Sequence, residues 1–366
     1  MKWQHTVGQI LSNHWEQVLS NNLNGHQLKH LHQISRCHTA SLGGSVHECQ
    51  KCDELSYTYH SCRNRHCPSC GGSRRDEWIE RQQSYLLDTS YYHVVFTIPS
   101  ELNTLCMYQP RIIYDTLFHA SWKTIQTFAS DHKYLGAKAG MTAVLHTWSQ
   151  NMGLHPHLHC IVPGGGITKH GKWKYTRSKG KFLFPVKAMA AVYKGVFIAE
   201  LKRLAIIGAI ELPRSLRESL YAKRWVVYAK RPFATPNFVI EYLGRYTHKV
   251  AISNHRLLYY DKQSVTFKWK DYRNGAHNGT MQLPTKEFVR RLAMHILPHK
   301  FVRIRHYGLL SFHGRSSTIP EIQIKQNYAP KLAPVYNLPV KVLRCTKCKS
   351  NDIKTTPLHR SRTRPP

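Results

Sequence analysis

The segment His155-Pro156-His157-Leu158-His159-Cys160-Ile161-Val162 decides how this chain is read. In a β-strand side chains alternate between faces, so His157 and His159 point one way while Leu158, Cys160 and Val162 point into a core. Two imidazoles one pleat apart can grip a single divalent ion, and an apolar opposite face holds the strand rigid, as a site requires. Such an ion, with open positions, polarises and orients a phosphodiester. A third ligand is needed. Gln150, at the end of the preceding strand, is preferred, with His146 and His155 as alternatives. The chain has 25 histidines, so a pair of surface histidines is the competing reading.

Outward from this segment, strand and helix patterns alternate. Tyr91 to Ile98 is a short apolar run stopped by Pro99, which suits a central strand. Met141–Gln150 and Pro156–Val162 read as strands joined through Asn151-Met152-Gly153, a hairpin turn. Residues 111–129 and 186–206 carry apolar side chains at helical spacing. Trp225 to Ala229 is strand-like. Thr235-Pro236 supplies a cap and a first-turn proline for a helix running to about His248. These patterns predict an α+β fold in three regions: 1–85, a helix and a Cys/His-dense stretch; 86–255, a mixed catalytic region; and 256–366, a basic region with a hairpin, a helix and a Pro-rich tail from Asn327 expected to be extended or disordered.

The helix closing the middle region reads Glu241-Tyr242-Leu243-Gly244-Arg245-Tyr246-Thr247-His248-Lys249. Residues four apart share a helix face, so Tyr242 and Tyr246 project together. Tyrosine suits reversible phosphodiester cleavage: the phenolate attacks phosphorus, a 3′-hydroxyl leaves, and a 5′-phosphotyrosine keeps the bond energy for rejoining. A free phenol has a pKa of about 10, so the phosphate must be activated, which an ion at the histidine pair would do. Arg245 and Lys249 are placed to hold phosphates. By themselves two helical tyrosines at this spacing more often simply pack. Beside the histidine pair the balance reverses.

The N-terminal region carries Cys49-x2-Cys52, Cys62 and His66-Cys67-Pro68-Ser69-Cys70. Two Cys-x2-Cys knuckles are a strong zinc pattern, and Cys49, Cys52, Cys67 and Cys70 are the chosen ligands of one structural zinc. Cys62 and His66 are surplus; either replaces a member or, with Cys37 or His47, builds a second site. The fold so held would present Arg63, Arg65, Arg74 and Arg75 to DNA. Cys345-x2-Cys348 is half a zinc site with no second half nearby in sequence. Cys106 and Cys160 read as core thiols.

Charge points the same way. Lys and Arg number 53 against 20 Asp and Glu, a formal net charge of +33, spread along the chain, which attracts polyanions and above all nucleic acid. In the last region Arg303 and Arg305, among further cations and aromatics, suit single strands. No apolar run reaches the roughly 18–20 residues needed to cross a bilayer. Residues Met1 to Asn21 form an amphipathic helix and not a secretory signal, which implies a cytoplasmic, nucleoid-associated protein with reduced thiols.

The Ser61–Cys70 block, Val94-Val95-Phe96-Thr97-Ile98-Pro99, His157-Leu158-His159, the stretch from Tyr242 to Asn254, and Arg303-Ile304-Arg305-His306-Tyr307-Gly308 occur in this order. In them the chain resembles the HUH-type, two-tyrosine transposases of rolling-circle insertion sequences, the group called IS-ninety-one-like, over nearly its whole length. The resemblance implies an HUH endonuclease core, a central antiparallel sheet flanked by helices with the histidines on a central strand. It further implies a magnesium or manganese ion at the site, structural zinc, and strand transfer between single-stranded element ends and a target. Histidines preceding tyrosines is the order of replication initiators and the reverse of relaxases. A rolling-circle replication initiator with the same chemistry, and a zinc-dependent DNA-binding regulator with an inactive nuclease core, are the alternatives.

Overall fold

The computed structural model describes residues 4–178, 182–230, 236–247, 249–271, 275, 277–330 and 343–359, without the side chains of 72–75, 236, 237, 241, 243, 245 and 246. The chain opens with α1 (Val7–Asn13), α2 (Trp15–Leu19) and α3 (Gly25–Ser35), followed by β1 (Gly44–Cys49), β2 (Leu55–Tyr59) and α4 (Gly72–Gln83). Next come β3 (Tyr91–Thr97), α5 (Asn103–Tyr108), α6 (Pro110–Ser130), β4 (Gly140–Trp148), β5 (Leu154–Pro163) and the small hairpin β6 (Gly165–Ile167) and β7 (Trp173–Tyr175). Helices α7 (Val186–Ile206) and α8 (Arg214–Ala222), strand β8 (Val227–Ala229) and helix α9 (Pro236–Thr247) complete the middle of the chain. Beyond it lie β9 (Leu257–Tyr260), β10 (Ser264–Asp271), β11 (His277–Pro284), α10 (Thr285–Met294), β12 (Ile304–Gly308), α11 (Ile319–Lys325) and β13 (Ile353–Leu358).

The fold is α+β, with a central antiparallel sheet flanked by helices. The sheet runs β12-β4-β5-β3-β8, so the His-x-His strand β5 lies in its middle. One face is apolar: Val94, Phe96, Ala143, Leu145, Leu158, Cys160 and Val162 share a core with Leu117 and Phe118 of α6 and Tyr193 and Phe197 of α7. Against the other face lies a smaller cluster, in which Val144 and Ile161 of the sheet meet Val239 and Ile240 of α9. The β4–β5 turn is pinned by Asn151, whose side chain accepts from the Gly153 amide at 2.9 Å. Met152 sits there at φ 60° with its side chain fully buried.

That methionine plugs into a second core, where Val7, Ile10 and Leu11 of α1 and Leu31 and Ile34 of α3 pack with Phe267, Phe288 and Val289. The regions drawn in sequence therefore interleave. Residues before 85 share this core with residues beyond 255, and β12 supplies an edge of the central sheet by pairing with β4. Three details depart from the sequence reading. The first helix is two helices, broken at His14, whose ring stands edge-on to Tyr260. The hairpin after residue 256 gains a third strand, β11. The tail expected to be extended or disordered carries an ordered strand, β13, which pairs with β1 over six residues, from Gly44 opposite Leu358 to Cys49 opposite Ile353.

Candidate active site and zinc centres

The antiparallel register sets the site. His146 of β4 stands opposite His157 of β5, and Val95 of β3 opposite His159. Cross-strand partners share a face, so His146, His157, His159 and His93 of β3 all project toward α9. One ligand atom from each of His146, His157 and His159 falls within 4.8 Å of the others. The Nε2 atoms of His157 and His159 are 3.2 Å apart, about the separation of two nitrogens bound to one ion at roughly 2.0–2.1 Å. The other ring nitrogens are occupied elsewhere: His157 Nδ1 donates to the His155 carbonyl at 2.7 Å, and His159 Nδ1 lies 2.9 Å from His93 Nε2. Both tautomers thus turn an Nε2 lone pair toward the shared centre.

Burial pushes the His157 and His93 imidazoles down to about 4. His159 is lowered as well, by burial first and then by His157, His93, Lys249 and Arg303. His157 and His159 are thereby kept from carrying a proton at physiological pH. The donor chemistry fits a divalent cation: imidazole ligands bring no charge of their own and leave the ion its full charge, which a phosphodiester needs.

The structure brings His146, one of the alternatives, beside His157 and His159, where Gln150 was preferred. The strand register explains this placement. A bulge between His146 and Trp148 ends regular pairing, and Gln150 lies beyond it in the turn, its carbonyl accepting from Arg256. His155, the other alternative, is exposed and contributes its carbonyl. His93 was not singled out in sequence; the signal available was a lone histidine inside the apolar run Tyr91–Thr97.

Helix α9 carries Tyr242 to this face. Its ring centroid is 5.1 Å from that of His93, edge to face, and Lys230 Nζ lies 5.4 Å above the tyrosine ring. A continuous path thus runs from Tyr242 through His93 to His159. Tyr246 lies one turn further along α9, and its side chain, like that of Arg245, is outside the described residues.

The cysteines sort differently from the expectation. Cys67 and Cys70 join Cys37 and Cys62, whereas Cys49 and Cys52 join Cys345 and Cys348. The single set Cys49, Cys52, Cys67, Cys70 is not brought together, because β1 and its turn pair with β13 and carry the first knuckle away. In the tetrad of Cys37, Cys62, Cys67 and Cys70 the four sulfurs lie within 4.8 Å of one another, the spacing of ligands to one ion. His66 is no ligand here: it is wedged between His30 and Arg65, and burial lowers it well below 6.5. His47 is likewise engaged, bridging Thr355 at 3.0 Å and Thr58 at 2.8 Å.

The arginines divide. Arg63 is exposed. Arg65 ties the zinc module to the core, donating to the carbonyls of Phe301 at 2.6 Å and Pro298 at 3.3 Å. Arg305, expected at the DNA surface, also packs within the fold. It pairs with Ala143 on the far face of the sheet, where it meets Asp115 and lies 4.1 Å above the Phe118 ring. Arg303 does flank the site. It stacks 5.2 Å over Trp148 and donates to the carbonyls of Leu145 and Lys249, and desolvation brings its pKa down to about 9. Lys249 is exposed beside it. The side chains of Arg74 and Arg75 lie outside the described residues.

Comparison with known proteins follows the same division. "Putative transposase y4qJ" of Sinorhizobium fredii is 40% identical over 300 residues, covering 79% of this chain and 75% of that protein. A family model described as "Transposase zinc-binding domain", of the IS91 type, matches residues 10–98, and one described as "Putative transposase" matches 140–318. The chain belongs to the IS91 transposase family. The transposase for insertion sequence element IS801, from Pseudomonas savastanoi pv. phaseolicola, is 28% identical over 87% of this transposase and 81% of its own length. The metal-bound and metal-free structures of conjugative relaxase TrwC with oriT DNA are 10% and 11% identical. They cover 62% and 59% of this transposase and 95% and 94% of their own chains, with a TM-score of 0.27, too slight to bear on the fold. Structural zinc is a property of the family's N-terminal domain, and the tetrad of Cys37, Cys62, Cys67 and Cys70 falls inside the matched range. No helix among the described residues is long and apolar enough to cross a membrane.

Proposed function

We propose that this transposase nicks single-stranded DNA at element ends through a 5′-phosphotyrosine link and passes the held strand to a target. The observation that carries the proposal is the packing of Tyr242 against His93, itself bonded to His159 of the three-histidine cluster. His146, His157 and His159 would hold the ion. An ion held there would supply Lewis-acid activation of the scissile phosphodiester. Magnesium is an oxygen-seeking ion that keeps its waters, so an all-nitrogen set favours manganese of the two.

Tyr242 supplies the phenolic oxygen that joins phosphorus. The bond to the 3′ oxygen breaks, and that oxygen leaves as a hydroxyl with the proton given up by the phenol. Tyr246, on the same helix face by spacing, serves the second strand. His93 holds the His159 ring by accepting its Nδ1–H, and Lys249 and Arg303 draw the DNA backbone to the sheet. The exposed Arg63 extends the basic track from the zinc module, with Arg74, Arg75 and Arg245 proposed for the same role from their sequence positions.

The test is incubation of single-stranded element-end DNA with the protein and manganese, then denaturing electrophoresis and peptide mapping. An adduct on the Tyr242 or Tyr246 peptide is expected, absent from the Y242F/Y246F double variant, which still binds DNA. An adduct of equal yield in the double variant overturns the proposal.

A further inference from the structure

The second cysteine tetrad straddles the zinc-domain match: Cys49 and Cys52 lie inside it, whereas Cys345 and Cys348 lie far beyond its end at residue 98. Cys49 Sγ is 3.5 Å from Cys348 Sγ, and Cys52 Sγ is 3.5 Å from Cys345 Sγ, although the partners are 299 and 293 residues apart in sequence. All four sulfurs lie within 4.8 Å of one another. Four thiolates on a tetrahedral zinc, each at about 2.3 Å, sit roughly 3.8 Å apart. The spacing is thus that of a shared ion, and far beyond the roughly 2.05 Å of a disulfide.

The two Cys-x2-Cys turns are built alike. In the first, the Cys49 amide donates to the Glu54 carbonyl at 3.0 Å and the Asp53 amide to the Cys49 carbonyl at 2.9 Å. In the second, the Cys345 amide donates to Ser350 at 2.8 Å and the Lys349 amide to Cys345 at 3.1 Å. The residue after the second cysteine is left-handed in both, Asp53 at φ 55° and Lys349 at φ 62°. Non-glycine residues rarely adopt that conformation. Its occurrence at the same place in two unrelated segments marks a pair of metal knuckles facing each other.

The sheet these turns close has little else to hold it. β2 and β13 are exposed or half-buried throughout, and no residue of β13 belongs to a hydrophobic core. Cys49 and Cys345 are nevertheless buried, at 1% and 3% exposure. A sheet with almost no apolar burial and a buried sulfur cluster is stabilised by its metal. Four thiolates on one zinc carry a net charge of −2, and the exposed Lys51, Lys347 and Lys349 stand in the turns to offset it.

We infer that Cys49, Cys52, Cys345 and Cys348 form a second structural zinc site, a clasp that closes a ribbon of β13, β1 and β2 and anchors the late segment 343–359 on the N-terminal module. Binding displaces four thiol protons as the four zinc–sulfur bonds form. The inference is independent of the nicking chemistry.

The test is zinc content of the full chain, purified without chelator, by elemental analysis alongside native mass spectrometry. Two zinc ions per chain are expected, and one in the C345S/C348S double variant. In that variant proteases should cut the 343–359 segment at least tenfold faster, while the tetrad of Cys37, Cys62, Cys67 and Cys70 keeps its metal. Should the variant prove insoluble, cobalt titration of the zinc-stripped wild type distinguishes two equivalents of tetrathiolate charge-transfer absorption from one. A wild-type chain with a single zinc, a soluble variant with two, or disulfides among these four cysteines would overturn the inference.

Discussion

The two faces of the central sheet are made by alternate residues of the same strands, yet they do opposite work. Leu158 and Cys160 on β5, with Val94 and Phe96 on β3, are fully buried against α6 and α7. Between them, on the reverse face, stand His157, His159 and His93, lowered in pKa and linked ring to ring toward α9. The apolar face fixes the strands in place, and the fixed strands hold three imidazoles at ligand spacing. Stability and chemistry are thereby separated by one residue of register.

Neighbouring substitutions on β5 break that comparison most directly. H157A/H159A should lower manganese-dependent adduct formation by at least about a thousandfold, the scale of losing a main electrostatic stabiliser, while leaving the urea midpoint nearly unchanged. Leu158→Ala, the residue between them, should do the reverse. It should cost about 2–5 kcal/mol of stability for a fully buried leucine and leave adduct formation by the remaining folded protein nearly intact. If both variants lose stability alike, the two faces are not separate in function.

Much of this was legible in sequence, and the misses have physical causes. Alternation along residues 155–162 revealed the two faces, and the helical pattern after Pro236 placed Tyr242 on α9, because strand and helix periods are local. Register is not local. It decides that His146 and not Gln150 stands across from His157, and no single strand pattern carries it. The zinc ligands were misassigned because neighbours in sequence were taken as neighbours in space. Counting would have helped: of ten cysteines, Cys106 and Cys160 read as core, and the remaining eight make two tetrads. The C-terminal half-site had its partner all along, at Cys49 and Cys52. Arg305 shows another limit, since a cation in a basic region carried no sign in sequence that Asp115 and Phe118 engage it.

Not every buried histidine serves the site face, and acid sharpens the distinction. His295 lies below the β4–β5 turn, with Nε2 donating to the Met152 carbonyl at 3.0 Å and Nδ1 accepting from Thr147 at 3.1 Å. Burial lowers it from 6.5 to about 4. Above pH 6.5 it is neutral folded or unfolded and contributes nothing to pH dependence. As pH falls from 6.5 toward 4 the unfolded chain takes up the proton and the folded one does not, so stability declines, by up to about 3 kcal/mol at pH 4. His295→Gln, which can still donate to Met152 and accept from Thr147, should lose about that much less between pH 7 and pH 4 in urea unfolding. An unchanged pH slope would show that His295 is protonated in the folded state.

The smallest expected effect tests what joins the two tyrosine-side elements to the metal. His93 Nε2 lies 2.9 Å from His159 Nδ1; with His159 Nε2 on the ion, His93 is the acceptor, and an outer partner of this kind typically changes metal affinity by about 10–100-fold. His93→Phe keeps a ring against Tyr242 but removes the acceptor, so manganese affinity, measured by paramagnetic resonance on the unreacted protein, should fall within that range. His93→Gln restores an acceptor oxygen and should recover most of the affinity while losing the ring contact. If His93 served packing alone, the rank would invert, with Phe near wild type and Gln impaired. The order of the two variants therefore tells whether the site face is held by a hydrogen bond to its ligand or by the same close packing that governs the opposite face.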